Sequence, residues 1–455
     1  MIQLGQKIMS SMLAPWQRIN ALKTFLYPAL NFHMRCGNIG KTEWARLDKA
    51  LRPMIKRSLY LPSSASGNYL HGSRQAGACG IPIAAEVSDL CRIDSAFKLL
   101  SSRDSEVTQH AEAELQRTIT ERLGRQCTRS DMGVYLAGDT EGEYRTTSNP
   151  IQNVWTEARK ASHRLGMTWE LRESGQPSVT RGTITVTTRH RSRLMAIFRK
   201  QLNQSRDCDL QALPNQGKAM ECVAADRASS HFISNGDYTR FANWRFIHRA
   251  RLNLVPLNGA KPWSTNDKRC RTCGFQSETL PHVLNNCMRN SAAYTQRHND
   301  IVSRIKSAAE KKFSVKWENQ AVGSTHLRPD LVLTQGETAI IVDVAIPFEN
   351  RTDSLQAKRR EKEQKYEPVK QYLLQRFNRV SIEAVIIGSL GSWDPNNDRL
   401  LKRLCSNNYL KKLKRLAVSD VIRRSRDIYH GHATLPRFTE KQMSCNVLNS
   451  RLYNL

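Results

Sequence analysis

The chain has 455 residues, 39% of them hydrophobic, enough for roughly three domains with cores of their own. Its 70 Lys and Arg against 41 Asp and Glu leave a net charge of +29, which calls for a polyanionic partner; the basic residues are spread along the chain, so nucleic acid fits better than a membrane surface. No run is long enough to span a bilayer, and Met1 to Pro15 lacks the continuous apolar core of a signal peptide.

Residues 1 to 110 predict mostly helix. An apolar stripe at helical period runs from Trp16 to Leu30, with Pro28 ending or kinking it. A second helix is expected from Trp44 to Tyr60, carrying Leu47, Leu51, Ile55 and Leu59 on one side, and a third from Ala84 to Leu100. Residues 111 to 243, polar and turn-rich at Asp139 to Pro150 and at Glu173 to Thr180, read as a linker region. Within it, Gly182 to Thr188 predicts an exposed strand, and Arg191 to Leu202 a basic amphipathic helix whose charges are either a solvated face or a nucleic-acid contact.

Residues 244 to 290 begin with a basic, apolar helix, Trp244 to Pro256, which leads into Cys270-x2-Cys273-x8-His282-x4-Cys287. A Cys-x2-Cys turn puts two thiolates on one side, Gly274 allows the knuckle, and the helical His-x4-Cys pair closes a tetrahedron. Three thiolates and one imidazole leave no open position, so the expected ion is a structural Zn2+. The chain's eleven cysteines are otherwise irregularly placed and do not suggest a disulfide framework; this cluster points to metal in a reducing compartment. Lys268, Arg269 and Arg271 crowd the motif and are candidate nucleic-acid contacts, with Arg289 beyond it.

Residues 291 to 455 alternate helix and strand: helix Ser291 to Lys311, strand Phe313 to Trp317, strand Asp330 to Leu333, strand Thr338 to Ile346, helix Asp353 to Phe377, strand Val380 to Ile387. Gln335 to Glu337 predicts a hairpin turn. Asp330 opens one strand of that hairpin and Asp343 sits inside the other, where a charge is costly unless paired or holding a metal. A tight antiparallel pair can bring the two carboxylates to one Mg2+. On the next helix Tyr366, Val369, Leu373 and Phe377 form a packing face, while Lys358, Lys362 and Lys365 form another line. Asp398 to Tyr429 predicts basic helix, and the residues from about Arg437 are expected to be loosely packed.

The strand-borne Pro329-Asp330, Asp343 on the next strand, and the αβββαβ order resemble the restriction-endonuclease-like nuclease fold. The usual lysine two positions after the second acid is replaced by Ala345. Lys362-x-x-Lys365-Tyr366 on the following helix, Arg297-His298-Asn299 upstream and the long-spaced knuckle are similar to the endonuclease region of site-specific non-LTR retrotransposons that insert into ribosomal RNA genes. Phe25 to Leu30, Met54 to Arg57 and Gly80 to Pro82 resemble the thumb following a reverse-transcriptase palm. The resemblance implies a multidomain chain: helical thumb (1–110), linker (111–243), basic helix and CCHC knuckle (244–290), and α/β restriction-like endonuclease with basic C-terminal helices (291–455). It also implies a nuclear location, with target genomic DNA and the element's RNA as partners and no membrane. Asp330 and Asp343 would bind Mg2+, Lys362 or Lys365 would serve the cleavage, and Arg297 and His298 would contact nucleic acid. The chain contains no adjacent Asp pair, so the palm chemistry of a polymerase is not expected of it, and it reads as the C-terminal piece of a longer polyprotein. The alternative is a nuclease-dead zinc-knuckle module that only binds nucleic acid.

Overall fold

A computed structural model describes residues 1–144, 152–171, 176–261, 263 and 265–434; the residues beyond Arg437 lie outside this set. The chain divides into two compact units, one made of Met1–Ser58 and Gly80–Arg206, the other of Leu59–Cys79 and Asp207–Leu455. Among the described residues the protein is mainly helical, with two small sheets.

The first unit starts with helices Ile2–Ser10, Pro15–Ala21, Tyr27–Cys36 and Lys41–Ser58, then Ala84–Leu100. The expected break at Pro28 takes a specific form. Proline has no N–H to give the preceding turn, and over Leu22–Leu26 the chain widens to a π turn, with Tyr27 N–H donating to Leu22 O. Trp44, Leu47, Leu51 and Ile55 are buried along one face of Lys41–Ser58. From the same helix Asp48 accepts hydrogen bonds from Ala84 N (2.7 Å) and Ala85 N (2.9 Å), capping the open end of Ala84–Leu100. A further core gathers Phe97, Tyr135, Trp155, Trp169, Val186 and Phe198. A three-stranded antiparallel sheet backs it: β1 (Thr168–Glu170), β2 (Ser178–Arg181) and β3 (Ile184–Thr187). The strand expected at Gly182–Thr188 is β3, and it is less exposed than its polarity suggests, because Val186 points into this core. The helix expected from Arg191 begins instead at Leu194, after a 3-10 turn over Thr188–Arg193, and runs to Ala212.

In the second unit helix Ser291–Ala309 precedes β4 (Ser314–Glu318), β5 (Leu331–Gln335) and β6 (Thr338–Ala345). Then come helices Thr352–Lys365 and Glu367–Leu374, and β7 (Arg379–Ile386). The sheet order is β4-β5-β6-β7, antiparallel except for the parallel β6–β7 pair, whose crossover contains the two helices. Gly336, at φ +54°, makes the tight β5–β6 turn. The single helix expected over Asp353–Phe377 is two, because Pro368 in the first turn of the second segment removes a donor the longer helix would need. On one face of the sheet Val332, Ala339 and Ile341 pack with Tyr366, Val369 and Leu373. Each large apolar side chain buried there contributes about 1.5–3 kcal/mol. Helices Asn397–Leu404 and Asn407–Thr434 follow β7 and divide at Cys405 and Ser406 what the sequence presents as one basic helical stretch. No described helix is long and apolar enough to cross a membrane.

Candidate metal centre and acidic site

Both sites lie in the second unit. The knuckle begins as a turn in which Gly274 N–H donates to Cys270 O (2.9 Å) and Cys270 N–H to Phe275 O (2.8 Å). Gly274 adopts φ +73°, a region that favours glycine. The other half is a π turn, His282–Asn286, closed by Cys287 N–H to His282 O at 2.8 Å. These two turns place the ligand atoms of Cys270, Cys273, His282 and Cys287 within 4.8 Å of one another. Cys273 Sγ lies 3.2 Å from His282 Nε2, and Thr272 Oγ1 lies 3.3 Å from both Cys270 and Cys287 Sγ. The exposed Phe275 ring stacks on His282 at 4.7 Å, 8° from parallel, and fixes the imidazole plane. Three sulfurs and one nitrogen at this spacing can hold a metal ion and are consistent with zinc.

A supporting layer stands behind it that spacing alone does not reveal. His432, buried near the end of helix Asn407–Thr434, brings Nε2 to 3.6 Å from Cys270 Sγ and 3.0 Å from Glu278 Oε1. Burial opposes charge on His432, but the bonds to Cys270 and Glu278 prevail and raise it to about 9. Burial likewise opposes the Cys270 thiolate, yet the His432 and Thr272 bonds hold it at about 5. The ligand atoms of Cys270, Glu278 and His432 likewise lie within 4.8 Å of one another. Glu278, however, is engaged by Arg271 Nε (2.8 Å) and NH2 (2.9 Å) and by the amides of Asn258 and Arg271, so the three act as a brace.

This corrects the expectation for Arg271. Its guanidinium turns inward to Glu278 and to Ala433 O (2.9 Å). Arg269 is exposed and pairs with Asp267 at 3.2 Å. Lys268 contributes its carbonyl, which accepts from Glu278 N at 2.8 Å.

The acidic site follows from strand register. Leu331 opposes Val342 across the β5–β6 pair, so the next pair outward is Asp330 and Asp343. Asp343 is 2% exposed. Lys362 Nζ, from helix Thr352–Lys365, lies 2.7 Å from Asp343 Oδ2. That ammonium approaches off the hydrogen-bonding direction, and the buried oxygen accepts no directed hydrogen bond. Asp330 Oδ2 accepts from Val344 N (2.6 Å) and lies 3.1 Å from His298 Nε2, which is also 3.2 Å from Val344 O. The Tyr366 hydroxyl donates to Arg328 O (3.0 Å). Its pKa is driven far up by burial first, then by Asp343 and Asp330.

The structure therefore gathers His298, Asp330, Asp343, Lys362 and Tyr366. Lys365 is set apart, its Nζ 4.9 Å from the centre of the Tyr366 ring, and Lys358 pairs with Glu361 at 2.6 Å. Arg297, expected to touch nucleic acid, is 3% exposed and bonded to Ser425 Oγ and Leu284 O, both at 2.9 Å. It ties Ser291–Ala309 to the knuckle's π turn and to the last long helix. His298 is partly exposed and faces Asp330. Glu349, buried, accepts from Leu390 N, Ser392 N and Ser392 Oγ and braces the loop after β7.

No protein-family model matches the chain. It is 33% identical over 180 residues to the "Retrovirus-related Pol polyprotein from type-1 retrotransposable element R2" of Popillia japonica, covering 38% of this chain and 36% of that protein. Over 413 residues it is 22% identical to the protein of the same name from Bradysia coprophila, covering 89% of this chain and 40% of that protein. Over 350 residues it is 23% identical to the "Retrovirus-related Pol polyprotein from type-2 retrotransposable element R2DM" of Drosophila melanogaster, covering 75% and 27%. The chain spans between about a quarter and two fifths of the length of these curated relatives. Its homologues, at low identity, are thus Pol polyproteins of R2 non-LTR retrotransposable elements.

Proposed function

We propose that this chain corresponds to the thumb, knuckle and endonuclease portion of such a polyprotein, and that its second unit is a restriction-like, Mg2+-dependent DNA endonuclease. The observation that carries the reading is Lys362 Nζ, 2.7 Å from Asp343, on the carboxylate that opposes Asp330 across the hairpin. Two carboxylates beside an amine are the donor set for a hard cation and an anionic reaction centre. The buried Asp343 Oδ2, with no hydrogen bond directed at it, fits a ligand atom.

In this reading Asp330 and Asp343 would hold Mg2+, which when bound would polarise a phosphoryl oxygen and lower the pKa of a water. His298 and the Val344 amide fix Asp330 Oδ2, so the carboxylate does not turn away from its neighbour. Lys362 stabilises the charge that grows on the phosphoryl oxygens, or orients the attacking water. Water adds to phosphorus and gives up a proton, the bond from phosphorus to the 3′ oxygen breaks, and that oxygen takes up a proton and leaves as a 3′-hydroxyl, the phosphate staying on the 5′ side. The nicked strand then primes copying of the element's RNA, which places the work in the nucleus with genomic DNA and element RNA as partners. Exposed basic residues around the knuckle, Arg269 among them, supply contacts to phosphates.

The test is nicking of supercoiled plasmid by the purified chain with Mg2+ or with chelator. The wild type is expected to nick only with Mg2+, and Asp343→Ala and Asp330→Ala to bind DNA without nicking. Salt-sensitive binding with no nicking by the wild type would instead select a knuckle module that only binds.

A further inference from the structure

The first unit carries a basic cavity of about 1100 Å³ that the proposed nuclease chemistry does not use. It lies between the end of helix Ala84–Leu100, the first turns of helix Ser105–Leu123 and the 3-10 turn Thr188–Arg193. Arg103, Arg189 and Arg191 line it, together with hydroxyl side chains such as Thr188 and Ser192.

The described acids beside this charge are committed elsewhere. Glu112, the one carboxylate among the described lining residues, accepts from Arg129 on both oxygens at 2.7 Å. Asp104, next to Arg103, caps helix Ser105–Leu123 by accepting from Glu106 N (2.9 Å) and Val107 N (3.4 Å). Among the described residues neither Arg103 nor Arg189 has an ion-pair partner, and both are exposed.

Arg191 is anchored in the cavity wall: its NH2 donates to Lys98 O at 2.9 Å, which holds the side chain in place.

We propose that this cavity binds the sugar–phosphate backbone of a polynucleotide. Guanidinium forks match phosphate oxygens in pairs, and the hydroxyls extend the donor set. Among the described residues no aromatic ring lines the cavity to stack on a base, so its donors address the backbone rather than the sequence. The volume exceeds what one inorganic phosphate fills and suits several linked nucleotides. The strand can be RNA or DNA, since both present the same phosphodiester.

The experiment measures binding of the full chain to oligo(rU), oligo(dT) and a DNA duplex by fluorescence anisotropy across a salt series. Arg103→Glu with Arg189→Glu is compared with Arg46→Glu plus Arg117→Glu, exposed reversals outside the cavity. For a single strand held there, the slope of log K against log salt should fall by about 1.4, two contacts at about 0.7 each. Affinity near 0.15 M salt should drop roughly tenfold beyond the control. The strand type that shows the loss identifies the source. Arg103→Gln with Arg189→Gln gives a smaller loss in the same direction and serves if the reversal disturbs the fold. Equal behaviour of cavity and control variants on all three ligands overturns the proposal, as does full competition by millimolar inorganic phosphate, which would leave only a free-anion site.

Discussion

The cysteine–histidine cluster and the aspartate pair stand in one unit and treat their polar groups in opposite ways. In the knuckle each donor has a neighbour: Thr272 touches two sulfurs, Phe275 backs His282, and His432 reaches Cys270. Nothing there awaits a substrate. At the hairpin the buried Oδ2 of Asp343 accepts no directed hydrogen bond, and Lys362 leans on it from a largely exposed helix. A closed and satisfied set is what a structural ion needs; a carboxylate pair with one oxygen left open beside an amine is the donor set that suits a hard cation and a phosphate.

The largest expected effect separates the two. Chelation, or Cys287→Ala, should remove one bound Zn2+ per chain and disorder residues 268–290. The free energy at stake is on the order of 10 kcal/mol for structural zinc sites. Metal analysis and hydrogen exchange check it; retained protection in the metal-free protein would make the cluster a thiol core without a structural ion. Asp343→Ala should leave that zinc and the fold in place while cutting the nicking rate at least roughly 100-fold, about 2.7 kcal/mol. Loss of zinc from this variant would mean that the two sites are not separate.

His432→Ala is a smaller break. Without its bond to Cys270 and Glu278, zinc affinity should fall about 10–100-fold, as for outer partners of metal ligands, while an Asp343 variant keeps full affinity. Competition with a chromophoric chelator measures it, and equal affinities would reduce His432 to packing.

Acid should weaken the unit that carries both sites. His248 is fully buried beside Tyr69 OH (2.5 Å) and the Trp244 ring, and burial lowers its pKa to about 3. Its folded pKa lies below the unfolded value near 6.5. The unfolded chain therefore binds the extra proton, and stability is full above about 6.5 and falls toward pH 3. His231, lowered to about 4 by burial, adds in the same direction. The thermal midpoint of the second unit should drop over that window, and by less in His248→Gln; a pH-independent midpoint would mean these imidazoles are protonated in the fold.

The ease of reading the sequence followed the distance over which each site is assembled. The knuckle's ligands were legible because Cys-x2-Cys and His-x4-Cys are local turns whose spacing is their geometry. Asp330 and Asp343 were legible because a tight turn at Gly336 fixes the register between them. Lys362 could be narrowed to one line of its helix, but choosing it over Lys358 and Lys365 required the packing of Tyr366 on the sheet. His432 and Glu278 were invisible, since no local pattern joins the chain's late helix to the knuckle. Arg297 and Arg271 looked like surface charge. Their burial is set by carbonyls, a serine and a glutamate supplied from other elements. Nor does any sequence pattern announce that Leu59–Cys79 joins the second unit, because chain exchange is decided by packing alone.

The hairpin site is tested most directly by anomalous diffraction from crystals soaked in Mn2+, used in place of Mg2+. A peak about 2 Å from carboxylate oxygens of both Asp330 and Asp343, absent in Asp343→Ala, is the result expected. Mn2+ bound at neither aspartate, with Lys362 still seated on Asp343, would contradict the account.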